Sequence, residues 1–222
     1  MKARRRIARA AAGIAAACVL AAPLAGCNIV GPIYALAAGP GEVKAAYKLD
    51  PDLKTVIFVD DPANKIAQRR IRSEIGVVAQ DTLLKKNLVR EGSMIDTRSA
   101  MAAVAREENG EPMAVTEIGK AVGAEVMIYV LVTSFELSPD GVDFAPASEV
   151  EVKIFDVANE ARLWPPAGQP GYRSKFSNPT SNRSMPRSRT DSLKAQTDLA
   201  QLTGAGLAQL FYDVERPQSL RR

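Results

Sequence analysis

Few residues in this chain are equipped to do chemistry. Among its 222 residues there is no histidine, and the only cysteines are Cys18 and Cys27. Without imidazole, the commonest general base and the commonest metal ligand are both missing. Metal sites built on thiolate and imidazole cannot be assembled, which leaves an all-oxygen site of the Ca²⁺ or Mg²⁺ kind. Asp60, Asp61 and Glu136 are the carboxylates from which an acid–base pair acting on a sugar would be drawn. No spacing singles out two of them. Asp61-Pro62 reads more simply as a helix cap followed by proline at the first helical position, with Asp60 ending a strand. The expectation is a protein that is not an enzyme and uses neither cofactor nor metal. What remains is the Cys27 thiol, placed directly after Leu24, Ala25 and Gly26.

The residues before Cys27 explain its position. Lys2, Arg4, Arg5, Arg6 and Arg9 form a basic start, followed by an uncharged, Ala-rich run over 10–25 with Pro23 near its end. This is the three-part layout of a secretory signal. The uncharged run is shorter than the roughly 20 residues a membrane-spanning helix needs. Removal of the leader changes the charge balance. Five of the 29 Lys and Arg precede Cys27 and none of the 25 acids does, which leaves 24 bases against 25 acids in the mature chain. The net charge of +4 and the pI near 9.1 therefore reflect the leader, and no nucleic-acid partner is expected. Cys18 leaves with the leader, so no disulfide is expected.

Leu24-Ala25-Gly26-Cys27 resembles the lipobox of bacterial lipoproteins. The resemblance implies that the Cys27 thiol receives a diacylglycerol and that cleavage makes Cys27 the first residue. It also implies a lipid-anchored protein of the cell envelope. By analogy with enterobacterial sorting, Asn28 after the cysteine implies the outer membrane, facing the periplasm. Several acyl chains hold stably where a single chain is marginal.

Three regions follow from the pattern: a signal peptide over 1–26, a lipidated tether over 27–50 and a globular domain over 51–222. Thr55 to Val59 is a short apolar strand, and a helix is expected over 63–87. Met94-Ile95 is a short strand, and Asp96 or Thr97 caps the next helix. A third helix stops at Gly123 and feeds a strand too apolar to be solvated at its centre. Val150, Val152 and Ile154 alternate with Glu149, Glu151 and Lys153, the mark of a half-buried antiparallel strand. Residues 165–190 are rich in Pro, Ser and Asn and contain no acid. They are read as a loop. Arg173, Lys175, Arg183, Arg187 and Arg189 form a candidate basic surface for an acidic partner, with Tyr172 and Phe176 as anchors. A helix over 191–212 closes the chain, weakened by Gly204 and Gly206. The fold class is α/β (α+β): one domain with a mixed sheet of about four strands packed with helices.

This layout, with Phe155-Asp156-Val157 and Leu163-Trp164, resembles a family of periplasmic lipoproteins. That family includes the activators of penicillin-binding proteins and, more distantly, the curli-secretion-channel lipoprotein. The chain departs from the pattern in Ile95-Asp96-Thr97, where the arginine arrives one place late as Arg98. It also lacks a pore-forming hairpin of the secretion-channel type. The resemblance implies a module that binds an envelope protein, as an activator or adaptor in peptidoglycan assembly. The alternative it leaves open is an oligomeric subunit of a secretion or transport assembly. Asp156 is expected to end its strand and accept hydrogen bonds from the next turn, and Trp164 to pack over the sheet edge.

Overall fold

The structure is a computed structural model and describes residues 42–105, 113–177 and 185–215. In chain order its elements begin with β1 (Glu42–Val43), β2 (Thr55–Asp60), α1 (Arg69–Lys85), β3 (Met94–Ile95) and α2 (Thr97–Val104). Then come α3 (Val115–Ala121), β4 (Val126–Glu136), β5 (Ala147–Asp156) and β6 (Ala161–Trp164). The last are β7 (Tyr172–Ser177), α4 (Arg189–Ala208) and β8 (Val214–Glu215).

The main sheet is mixed, as the α/β class requires, but it has six strands rather than about four. Its order is β3-β2-β4-β5, and β6 and β7 lie one after the other along the outer edge of β5. β2 runs parallel to β3 and β4, whereas β4 and β5 pair antiparallel. Side chains alternate across the sheet, so two cores form. Ile57, Val59, Ile128, Val130, Val152 and Ile154 pack against α1 and α4. Val56, Phe58 and Met127 pack on the opposite face against α2 and α3. The centre of β4 is apolar on both sides because it lies between these two layers.

Four boundaries differ from the sequence reading. α1 begins at Arg69 rather than near residue 63. The Asp61 carboxylate accepts the N–H of Lys65 at 2.8 Å and of Ile66 at 2.7 Å, and Asn64 adopts φ 50°. Asp61 thus closes a turn, and Ile66 drops into the core. The latter part of the expected tether belongs to the body. β1 pairs with β8, and the Ala46 and Tyr47 N–H groups donate to the Leu210 carbonyl at 2.8 and 3.2 Å. Within the expected loop, residues 172–177 form β7, in register with β5 from Ala147↔Ser177 to Val152↔Tyr172. The closing helix runs from Arg189 to Ala208 and ends in a 3-10 turn over Gln209–Phe211, with Leu202 facing outward.

The two glycines of α4 are contact positions rather than weak points. A Cβ on Gly204 would lie 2.5 Å from the Ile75 carbonyl oxygen and 2.9 Å from Val78 Cβ. A Cβ on Gly206 would strike the Phe176 ring of β7. One turn away, Thr203 and Ser148 share a buried hydroxyl–hydroxyl bond at 2.6 Å, which ties α4 to β5. Gly204→Ala is expected to force α1 and α4 apart and to destabilise the protein by about 1–3 kcal/mol. Gly92→Ala, which meets nothing within 4 Å, is the control and should change stability little. Urea denaturation of both variants checks this.

Candidate functional site

On the face that carries α2 and α3, these helices cover only the lower part of the sheet. The upper parts of β4, β5 and β7 bear a charged ladder. The register sets Asp60, Leu131, Glu151 and Arg173 side by side, with Glu149 opposite Lys175 in the next row. Lys175 lies 3.2 Å from Glu149, Lys153 lies 2.7 Å from Glu151, and Arg173 lies 3.8 Å from the second Glu151 oxygen.

Glu151 is the centre of this ladder, its side chain only 12% exposed. The Gly171 N–H donates to Glu151 Oε1 at 3.0 Å. A Cβ on Gly171 would collide with the Glu151 side chain, so only glycine lets the β6–β7 connection lie this close. Burial acts to raise the Glu151 carboxyl. Hydrogen bonds from Lys153 and Gly171, with the charges of Lys153 and Arg173, outweigh it and hold the carboxyl below its ordinary value. Beside it, the Tyr129 hydroxyl donates to Asp60 Oδ2 at 2.8 Å. Burial first, then this hydrogen bond and the carboxylate charges, push the Tyr129 phenol well above its ordinary value. Neither group is set to exchange a proton near neutrality. Among the described residues, no group of acids is arranged to hold a metal ion.

The candidate basic surface is divided. Arg173 and Lys175 project onto the ladder, where β5 supplies the acids missing from their own stretch. Tyr172 and Phe176 point to the opposite face, as alternation in a strand requires. Tyr172 stacks on Trp164 with ring centres 4.8 Å apart, Trp164 meets Tyr47 at 5.9 Å, and Phe176 packs against the α1–α4 core. They pack on the fold, on the face opposite the two cations. Arg187 and Arg189 lie at the start of α4, where Arg187 lines a cavity of about 320 Å³ with Phe144, Met185 and Lys194. Cys27 and Arg183 lie outside the described residues.

The sequence reading placed Glu149, Glu151 and Lys153 on a polar face but did not join them to Arg173 and Lys175. The available signal was the period-two alternation in Tyr172-Arg173-Ser174-Lys175-Phe176, masked by the prolines around it. Two expectations hold at the sheet edge. The Asp156 carboxylate accepts the Asn159 N–H at 2.9 Å and its side-chain amide at 2.8 Å, and Trp164 covers the edge of β5.

No family model matches this chain, and no curated protein matches it. Its similarities are to solved structures. One is the PelC dodecamer from Paraburkholderia phytofirmans, at 13% identity and TM-score 0.42 over 78% of this chain and 97% of the other. Another is lipoprotein GNA1162 from Neisseria meningitidis, at 12% identity and TM-score 0.37 over 66% and 96%. A third is the LpoB C-terminal domain from Salmonella enterica, at 12% identity and TM-score 0.32 over 57% and 84%. The similar structures thus include a lipoprotein, the class the sequence resembles. TM-scores below 0.5 assign this chain neither an ancestry nor a role.

Because the Glu151 carboxyl is held low in the folded state, its contribution is present above about pH 4.5 and is lost as pH falls through the folded value. Glu151→Gln should therefore lower stability at pH 7 by about 1 kcal/mol, and the deficit should shrink towards pH 3. Denaturation curves of both proteins at the two pH values test this. A deficit that stayed constant with pH would remove the charge-based account.

Proposed function

We propose that this protein is a lipid-anchored, non-enzymatic binding module of a bacterial cell envelope. The reading rests on one observation above others, the Leu24-Ala25-Gly26-Cys27 sequence behind a signal-like leader. Acylated Cys27 holds the chain at a membrane, taken as the outer membrane and facing the periplasm. The body binds an envelope protein and serves as an activator or adaptor in peptidoglycan assembly. The absence of histidine and of a free thiol in the mature chain supports a binding role over an enzymatic one.

The charged ladder is the surface proposed for that partner. Its cations are matched to acids in the free protein, so a partner must present its own alternating charges to replace them. Such a surface favours specificity over raw affinity. Weak contact suffices because the anchor raises the effective concentration. The 15 peptide steps from Cys27 to Glu42 can span at most about 50 Å, which limits how far from the bilayer Glu42 can stand.

A second reading, an oligomeric subunit of a secretion or transport assembly, is favoured by the sheet edge. Among the described residues, no strand pairs with the outer side of β7. An exposed edge of this kind is a template for another chain.

Cys27→Ser is expected to leave the fold intact and to move the protein from the membrane to the soluble fraction. Retention in the membrane fraction would count against the anchor. Photo-crosslinkers at positions 173 and 175, read by mass spectrometry, are expected to capture an envelope protein, while the same probe at position 85 does not. Capture of the chain itself alone would favour the oligomeric reading.

A further inference from the structure

A second charged surface lies on α1 and α2, and unlike the ladder it is not neutralised. The chain leaves β2 into α1 on one face of the sheet and leaves β3 into α2 on the other. Arg69, in the first turn of α1, and Arg98, in the first turn of α2, therefore line one crevice where the chain leaves two parallel strands. In open α/β sheets this is where ligand crevices form. Here the crevice has a volume of about 560 Å³ and is lined by Arg69, Arg70, Ser73, Glu74, Arg98 and Met101.

The cleft is built before any ligand arrives. Thr97 is fully buried at the start of α2; its hydroxyl donates to the Ile57 carbonyl at 2.6 Å, and its N–H donates to Gln80 of α1 at 3.0 Å. Gly76 allows this approach, because a Cβ there would collide with the Thr97 hydroxyl. Arg69 Nη2 donates to the Met101 carbonyl at 2.7 Å, which holds that guanidinium across the gap. A guanidinium has five N–H donors, so several remain for a ligand.

The charge in the cleft is unbalanced. Glu74 is its only acid, and its carboxylate accepts from Gln201 Nε2 at 3.0 Å. Arg98 forms an ion pair with Asp96 at 3.8 Å, and Arg69 and Arg70 make no ion pair among the described residues. Three guanidinium groups thus line one space with Glu74 as its only acid, while Asp96 pairs with Arg98 from beside it. Arginine forks match planar and tetrahedral oxyanions, and a phosphate offers three acceptor oxygens and up to two charges to partners on several sides. A carboxylate would occupy only one fork.

We infer that the cleft between α1 and α2 binds a phosphate group, held by Arg69, Arg70 and Arg98. The phosphate belongs either to a lipid headgroup or to a soluble phosphorylated compound. This site is separate from the charged ladder and does not depend on the function proposed for it.

The test uses the mature chain, residues 27–222 with Cys27→Ser, so that neither its acyl chains nor its basic leader brings it to vesicles. Inorganic pyrophosphate is titrated calorimetrically, and sedimentation is measured with vesicles of phosphatidylglycerol in phosphatidylcholine. Binding to at least one probe is expected, weakened by salt and reduced by about tenfold or more in Arg69→Gln/Arg70→Gln/Arg98→Gln. Arg70→Gln alone removes an exposed, unpaired side chain and should weaken binding several-fold without altering the thermal melt. Pyrophosphate binding without vesicle binding identifies a soluble phosphate ligand; vesicle binding alone identifies a headgroup. Failure of both probes overturns the inference. So does equal binding by the triple and single variants and the wild type, or acetate competing as well as pyrophosphate.

Discussion

β4 and β5 are longer than the helices that cover them on one face, and much of the molecule follows from that mismatch. β4 runs for 11 residues and β5 for 10, whereas α2 and α3 have only eight and seven. The upper part of the sheet must therefore meet solvent on that side while its reverse packs against α1 and α4. An apolar surface there would invite association, so the exposed positions are charged and paired across strands. Glu151, low in this surface, is stable as an anion because Lys153, Arg173 and the Gly171 N–H surround it. The same requirement places β7 on the edge of β5. Without it, Glu149 and Glu151 would lack their cross-strand cations, the α1–α4 core would lose Phe176 from its margin, and Trp164 would lose the Tyr172 ring.

The parts of the fold that were legible in the sequence are those with a strong local cause. The apolar run of β4, the alternation of β5, the Asp96 cap and the Gly123 stop depend on neighbours within a few residues. The parts that were missed depend on distant partners. β7 is a strand because β5 offers it an edge, although Pro, Ser and Asn dominate its surroundings. Gly204 suggests a weak helix until α1 is seen to lie against its backbone. Asp61 has the chemistry of a helix cap and uses it, but on a turn whose purpose is to bury Ile66. For the candidate surface, residue type does not tell which side chains share a face. Arg173 and Phe176 are neighbours in sequence and lie on opposite faces, a separation that only the strand period reveals.

The two charged surfaces differ in what they ask of a ligand. On the ladder, each cation already has an acid, and binding must exchange one set of pairs for another. In the cleft, the arginines exceed the acids, and a bound anion relieves repulsion that the free protein carries. Salt should therefore weigh more heavily on the cleft than on the ladder.

The pairing of β1 with β8 has a mechanical consequence. Any pull on the chain ahead of Glu42 reaches the core through a clasp of two residue pairs. Beyond it lie the Lys44–Asp213 ion pair and the bonds from Ala45 to Asp213 and from Ala46 and Tyr47 to Leu210. These contacts lie in series with the load, and the α1–α4 packing lies behind them. The clasp therefore works as a fuse. Under tension it opens first and lets out slack, a local and reversible event, while the sheet and its charged face keep their shape.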